Sequence, residues 1–177
     1  MWLRNGCIAI MMLLVFASCH NKLHKRHVRT KHKFTTEEYV ATYHKVARKQ
    51  MRKYGIPASI TLAQGILESA NGNSEVARKA NNHFGIKCSR GWDGNTYYAK
   101  DDRPNECFRK YKHAAECFED HSRFLAREKR YSSLFRLSSD DYKGWATGLR
   151  EAGYATNSKY HKLLISIIEK HKLYEYD

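Results

Sequence analysis

Apolar residues recur at helical spacing along most of the chain after residue 34. In the segment 35–54 they return every three or four positions, and Thr35 and Glu38 at its start have the spacing of a capping box. Gly55, directly after this segment, suits the left-handed position that commonly ends a helix. The pattern therefore predicts a first helix over 35–54.

The same period predicts further helices and one interruption. Helices are expected over 58–70, 74–80, 113–129 and 139–153, the last of these with Ser139 as its cap, and in a final segment that starts at an Asn157 cap. Between about 84 and 112, short aromatic-rich runs alternate with turn formers such as SRGWDGN and DDRPN, which is typical of a small β-hairpin or meander. We predict a mainly α (α+β) fold of about six helices with one β-excursion.

The first residues, 1–19, have the features of an export signal. They comprise a charged start, an apolar run at about 7–17 and small residues before Cys19. The run is about half as long as a bilayer-spanning helix requires, so we expect a signal peptide and not an anchor helix. The ending FASC resembles a bacterial lipobox, in which the Cys becomes the acylated first residue of the mature protein; plain signal cleavage is the alternative. We expect an exported, membrane-anchored lipoprotein that faces the periplasm or cell wall, and His20 favours the outer membrane in a Gram-negative host.

The next segment, 20–33, holds six Lys or Arg, four His and no acidic residue. With so few apolar side chains it cannot offset the entropy of ordering, so we predict a disordered basic tether. The formal net charge of the chain is +14, but Arg4 and this tether contribute half of it. Because an exported protein rarely meets nucleic acid, we expect no nucleic-acid partner. A basic surface facing an anionic envelope polymer or a membrane is the better interpretation.

Three cysteines follow the tether in what would be an oxidising compartment. Cys88 and Cys107 flank the β-like stretch and can close it as a disulfide, whereas Cys117 lies within a predicted helix and suits a buried thiol. Spacing alone does not decide the pairing. The chain has no C-x-x-C motif, and we predict no metal site.

One carboxylate, Glu68, lies where the second predicted helix ends in the stretch ESANGNS. On a helical wheel the apolar residues of 58–70 fill one arc, and polar or small residues that include Gln64, Gly65 and Ser69 fill the other. Glu68 belongs to the polar arc and faces away from the apolar stripe. The pattern alone favours an ordinary solvated side chain; the alternative is a carboxylate in a groove that is roofed by the β-excursion.

Four segments together resemble the glycoside hydrolase family 73 glucosaminidases, which are bacterial cell-wall autolysins. The segments are GIPASITLAQGILESANGNS (55–74), NNHFGIKC (81–88), CFRKY (107–111) and GYATNSKYHKLL (153–164). The resemblance runs in order over nearly all of 36–175. It implies a glucosaminidase domain over 34–177 with a lysozyme-like fold, in which a helical lobe and a small β-hairpin lobe enclose a glycan groove.

The resemblance makes Glu68 the general acid that protonates the departing oxygen when a β-1,4 bond after N-acetylglucosamine is cleaved. The family often carries a second carboxylate in the β-lobe. The corresponding stretch here offers Asp102 and Asp101, and also Glu106, but no Glu at the expected place. Either Asp can serve as a general base, or the pair can simply start a turn. Inversion through a base and assistance by the N-acetyl group of the substrate therefore both stay open.

Glycan contacts are expected from four residues near the matched motifs: Tyr154, Tyr98, Asn82 and Gln64. Tyr154 in GYAT is the best candidate, because sugar faces stack on aromatic rings. Tyr98 follows another tyrosine, and only one of two consecutive residues in a strand can face the groove. Asn82 is expected mainly to brace the groove. Trp145 and Phe118 are assigned to the core.

The sequence thus predicts a peptidoglycan hydrolase that acts as a monomer on glycan strands, without a metal or organic cofactor. A muramidase or a lytic transglycosylase on the same fold is the nearest alternative. A non-catalytic peptidoglycan-binding lipoprotein is the alternative from another class, because the usual β-lobe Glu is missing. A nucleic-acid binder that acts through the basic tether is the third.

Overall fold

The structure, a computed structural model, describes residues 33–177. The signal peptide 1–19, its lipidation site Cys19 and nearly all of the tether 20–33 lie outside the described residues. In the described part, no helix has the length and apolar character that a membrane crossing requires.

Six α-helices and one antiparallel pair of strands make up the described part of the chain, which confirms the mainly α prediction. The helices are α1 (Thr36–Tyr54), α2 (Ala58–Ser69), α3 (Glu75–Ala80), α4 (Ala114–Arg127), α5 (Tyr142–Glu151) and α6 (Tyr160–Lys170). The strands are β1 (Thr96–Ala99) and β2 (Glu106–Arg109). Short 3-10 helices occupy Lys129–Tyr131, Leu134–Arg136 and Leu173–Tyr176.

The ends of α1 follow the sequence prediction. The hydroxyl of Thr35 accepts a hydrogen bond from the N–H of Glu38, and the Glu38 carboxylate accepts one from the N–H of Thr35. Gly55 has a φ of 78° and its N–H donates to the carbonyl of Met51. Two other predicted starts are wrong. Asp141, and not Ser139, caps α5, and the Asn157 side chain closes a turn that precedes α6.

Helix α2 lies at the centre of the molecule and packs against α1, α6 and the C-terminal 3-10 helix. Its polar arc is not solvent-facing: Thr61 and Gln64 are fully buried together with the apolar stripe. Gly65 allows the close approach of α1, because a Cβ at this position would overlap the hydroxyl of the buried Tyr39. Neighbouring helices cover the polar arc as well as the apolar one. A helical wheel, which assumes one buried and one exposed face, does not predict this burial.

The hairpin is a compact unit on the side of the helices. Its register pairs Tyr97 with Phe108 and Tyr98 with Cys107. A disulfide joins Cys107 to Cys88, with 5.4 Å between the Cα atoms, as the sequence allows. Of the predicted strand-like run FGIKC, only Lys87 forms a β-bridge.

The core lies among the helices and includes fully buried Trp145 and Phe118, as predicted. Cys117 is a buried free thiol, and burial raises its pKa to about 12. This cysteine is therefore an inert core residue and not a reactive one.

Candidate active site

A groove with a volume of about 350 Å³ lies between the helices and the hairpin. The end of α2 and the helix α3 form one wall, and the hairpin forms the other. Its lining residues are Glu68, Ser74, Glu75, Val76, Asn82, Phe84, Gly85, Ala99, Lys100, Asp101 and Phe108. The predicted arrangement of two lobes around a groove is thus present, and Glu68 lies in that groove.

Glu68 belongs to the last turn of α2, where the backbone changes direction sharply. Ala70 and Asn71 have φ angles of 50° and 59°, and Gly72 continues the left-handed run at 77°. The hydroxyl of Ser69 accepts a 2.6 Å hydrogen bond from the N–H of Gly72 and stabilises this turn. Because the chain turns away here, the Glu68 side chain stays exposed to the groove.

Two influences act in opposite directions on the carboxyl group of Glu68. The protein around the groove removes part of its hydration and raises its pKa, whereas a hydrogen bond from Tyr160 lowers it. Desolvation is the larger effect, so the pKa of Glu68 is raised above its ordinary value. A carboxylic acid that retains its proton toward neutral pH is suited to donate that proton to a leaving group.

Aromatic residues from the C-terminal part of the chain support Glu68. The hydroxyl of Tyr160 donates a 2.9 Å hydrogen bond to Oε1 of Glu68 and accepts one of 3.1 Å from the side-chain amide of Gln64. Burial raises the pKa of Tyr160, so its phenol stays protonated and acts as a donor. The ring of Tyr160 stacks on that of Tyr154, whose hydroxyl lies 3.1 Å from Nε2 of His121.

Gln64 and Tyr154, which were predicted to contact the glycan, both contact Tyr160 in the structure. Gln64 has no exposed surface, and its amide is used by Tyr160. Tyr154 is half-buried, with its ring against Tyr160 and its hydroxyl at His121. Neither is among the groove-lining residues of the described chain. Both support Tyr160, the residue that holds Glu68, and the full burial of Gln64 differs from its predicted place in the groove.

Asn82 connects the two lobes. Its amide donates hydrogen bonds of 2.9 Å to the carbonyls of Ile86 and Arg109, and its Oδ1 accepts one of 3.0 Å from the N–H of Ile86. Only 1% of the residue is exposed. This position agrees with the expected bracing role, because the amide is already committed to the backbone of the hairpin lobe.

The two aspartates that were predicted as base candidates separate in the structure. Asp101 lines the groove, whereas the Asp102 side chain is 88% exposed and lies outside the lining. The Nζ of Lys87 lies 2.9 Å from Asp101, 2.9 Å from Glu106 and 3.4 Å from Asp102. Hydrogen bonds to Glu106 and Asp101 raise the pKa of Lys87, so this ammonium stays charged beside them. Asp101 thus reaches the groove as a charge-compensated carboxylate.

Tyr98, a predicted glycan contact, is not among the groove-lining residues of the described chain. Side chains alternate along a strand, and Ala99 of β1 lines the groove, so Tyr98 lies on the other face and is 56% exposed. Tyr97 is the residue that turns toward α3: its hydroxyl donates a 2.6 Å hydrogen bond to Oε1 of Glu75. Sequence reasoning did not identify Glu75, because no local pattern connects it to a tyrosine in the hairpin.

Within residues 33–177, no group of three His, Cys, Asp or Glu side chains is placed to hold a metal ion.

Comparison with known proteins gives a consistent picture. The glucosaminidase family, described as mannosyl-glycoprotein endo-beta-N-acetylglucosaminidase, matches residues 44–173. The exo-glucosaminidase LytG of Bacillus subtilis is 38% identical over 138 residues, which are 71% of this chain and 48% of that protein. The chain spans about half the length of LytG and of the peptidoglycan hydrolase FlgJ of Vibrio parahaemolyticus.

Solved structures show the same fold. The glycoside hydrolase domain of Salmonella typhimurium FlgJ superposes with a TM-score of 0.68 at 28% identity, covering 78% of this chain and 89% of that one. The catalytic domain of the autolysin Auto from Listeria monocytogenes gives a TM-score of 0.70 at 26% identity, covering 83% and 92%.

Proposed function

The chain belongs to the glucosaminidase family, and on this premise we propose that it is a glycoside hydrolase that cleaves the β-1,4 bond after N-acetylglucosamine in peptidoglycan. One observation carries the proposal: a glutamic acid with a raised pKa faces the groove and is held by a buried tyrosine. The family match and the names of the similar proteins support the choice of cell-wall glycan as substrate.

In the proposed reaction the carboxyl group of Glu68 gives its proton to the glycosidic oxygen as the bond to C1 breaks. The sugar that bears C1 passes through an oxocarbenium-like transition state, and water adds to C1 while releasing a proton. Tyr160 directs its hydroxyl at Oε1 of Glu68 and thereby fixes the orientation of the carboxyl group. Its hydrogen bond also stabilises the carboxylate that Glu68 becomes once the proton has left.

The proposed setting is the envelope of a bacterium. We propose that Cys19 carries the lipid of an exported, monomeric lipoprotein, and that the basic segment after it lets the domain reach the wall over at most about 45–50 Å. Mass spectrometry of the mature N-terminus tests the lipid. An acylated Cys19 is expected, and a mature protein that begins at another residue would contradict the anchor.

The activity is tested by digesting purified peptidoglycan with the full chain and identifying the new reducing ends by mass spectrometry. N-Acetylglucosamine ends are expected from the wild type and should be absent with Glu68→Gln. Glu128→Gln, which changes an exposed glutamate on another part of the surface, serves as the matched control. Circular dichroism of each variant establishes that it is folded.

Other outcomes would replace the proposal. Muramic acid ends indicate a muramidase, and anhydromuramic acid ends indicate a lytic transglycosylase, with Glu68 still as the acid. If the folded protein sediments with the wall but does not cleave it, the protein is a binding module. Because one relative is named an exo-enzyme and the family description says endo, the lengths of the released glycans should also be measured. Single disaccharides from the start of digestion indicate exo-cleavage, and long fragments indicate endo-cleavage.

A further inference from the structure

We infer that Glu75 is the second catalytic carboxylate of the groove and accepts the proton of the water that attacks C1. This inference rests on the proposed function and deepens it. Asp101 and Asp102 are the sequence-based candidates for that role, but a further carboxylate, Glu75, also lines the groove that holds Glu68.

The position of Glu75 follows from how α2 and α3 are joined. The N–H of Ser74 donates a 2.8 Å hydrogen bond to the carbonyl of Ser69, which ties the start of α3 to the end of α2. Glu68 directly precedes Ser69, and Glu75 directly follows Ser74. The two glutamates therefore flank a single backbone hydrogen bond, and both line the same groove.

The orientation of Glu75 is set from the opposite wall. The hydroxyl of Tyr97 on β1 donates a 2.6 Å hydrogen bond to Oε1 of Glu75. Tyr97 is two residues from the groove-lining Ala99 and shares its face of the strand. Oε2 of Glu75 has no hydrogen-bond partner among residues 33–177, so one oxygen is held by a phenol and the other is open to a water molecule.

The charges around the groove favour Glu75 over Asp101 as the base. No ion pair to Glu75 exists within the described part of the chain, whereas Asp101 lies 2.9 Å from the ammonium of Lys87. A neighbouring cation stabilises a carboxylate and makes it a weaker base, while a phenol orients it without adding a full charge. Asp101 is therefore engaged by an ammonium, whereas Glu75 is held in the groove by a neutral phenol.

The step balances without any further reactant. Water attacks C1 as the bond from C1 to the glycosidic oxygen breaks; Glu68 gives its proton to the leaving oxygen, and Glu75 takes one proton from the water. Glu68 ends as a carboxylate and Glu75 as a carboxylic acid, and exchange with solvent restores both. Attack by water on the face opposite to the leaving group inverts C1, so the first product of a β-linked glycan is the α-anomer.

The test uses the full chain with three groove variants: Glu75→Ala, Tyr97→Phe and Asp101→Asn. Glu128→Gln is again the control. For Glu75→Ala we expect a loss of kcat by about 100-fold or more, the range for removal of a general base. Azide, a small nucleophile that needs no deprotonation, should restore turnover of Glu75→Ala and give a glycosyl azide. Tyr97→Phe should lose activity less, and Asp101→Asn should show no azide rescue.

A merely structural role for Glu75 would not give azide rescue. The inference is overturned if Glu75→Ala keeps activity within a few-fold of the wild type, if azide rescues Asp101→Asn instead, or if NMR shows the β-anomer as the first product. All these results require an active wild type. An inactive folded wild type, or an active Glu68→Gln, overturns the proposed function itself, so the two failures can be told apart.

Discussion

The phenol of Tyr160 donates a 2.9 Å hydrogen bond to Oε1 of Glu68, although 92 positions separate the two residues in the chain. Tyr160 begins α6 and Glu68 lies in the last turn of α2, so the proposed proton donor is oriented by an element from the far end of the sequence. The bond stabilises the ionised form of Glu68 and opposes the desolvation that raises its pKa. The acidity of the group is thus set by the packing of two helices.

Replacing Tyr160 by Phe should move the pH dependence of the activity. Loss of the hydrogen bond removes an influence that lowers the pKa of Glu68, so this pKa should rise further. Activity that requires protonated Glu68 is lost as the pH rises through its pKa, and in Tyr160→Phe this loss should occur at higher pH. The carboxyl group also loses its orientation, so we expect kcat to fall by about 10-fold or more, which corresponds to about 1.4 kcal/mol. The measurement is kcat/KM against pH.

Tyr142→Phe is the control for this prediction, since the hydroxyl of Tyr142 donates to the exposed Glu169 of α6 and Tyr142 is not among the groove-lining residues of the described chain. In Tyr160→Phe, the fall of kcat/KM at high pH should move to higher pH. If it stays in place or moves to lower pH, the assigned role of the hydrogen bond is wrong.

The disulfide between Cys88 and Cys107 should stabilise the hairpin lobe. It closes a loop with a sequence separation of 19 residues, for which loss of the cross-link typically costs about 3 kcal/mol. We expect the Cys88→Ser/Cys107→Ser double variant to have a lower melting temperature and weaker activity, because Phe108, which lines the groove, follows Cys107 directly. A reducing agent should lower the melting temperature of the wild type but not of the double variant. If the reducing agent lowers the melting temperature of both proteins equally, the Cys88–Cys107 disulfide is not the bond through which it acts.

Two buried histidines should make the fold sensitive to acid. Burial lowers the pKa of His83 to about 4 and that of His121 to about 3, whereas an unfolded histidine has a pKa near 6.5. Between pH 6.5 and about 4 the unfolded chain therefore binds protons that the folded chain does not, and stability falls as the pH falls. Each histidine should contribute a loss approaching about 1.4 kcal/mol per pH unit in this range.

Urea unfolding at pH 7, 6 and 5 measures this effect. His83→Gln and His121→Gln should each reduce the slope of the free energy of unfolding against pH, even where they lower stability at pH 7. His113→Gln, which changes an exposed histidine, serves as the control. A variant of either buried histidine that keeps the slope of the wild type would show that the acid sensitivity arises elsewhere.

Gly65→Ala should destabilise the contact of α1 with α2. The added Cβ would overlap the hydroxyl of Tyr39, which is fully buried and lies 3.1 Å from Nδ1 of His83. Overpacking of this kind costs about 1–3 kcal/mol, and the better helix propensity of alanine offsets about 1 kcal/mol of it. Chemical unfolding of Gly65→Ala, Tyr39→Phe and the double variant tests the overlap. Gly65→Ala should cost less when Tyr39 has lost its hydroxyl; an unchanged cost would show that the overlap is not the cause.

The local pattern of the chain was sufficient to predict most of the elements. Capping by Thr35 and Glu38, the end of α1 at Gly55 and the change to a hairpin all depend on residues a few positions apart, whose geometry the backbone itself restricts. The family resemblance singled out Glu68 through a continuous motif. The starts of α5 and α6 were misplaced, because several residues that can cap a helix stand close together there and tertiary packing chooses among them.

Only the tertiary structure decided how the site is assembled. Gln64 was expected in the groove but is buried against Tyr160. Tyr97 and not Tyr98 faces α3, and Glu75 lines the same groove as Glu68. The sequence by itself determines which residues can form helices, turns and a proton donor, because these depend on neighbours along the chain. The tertiary structure decides which side chains meet across the groove and which carboxylate has its charge neutralised by Lys87. Both depend on contacts between distant segments that exist only after packing.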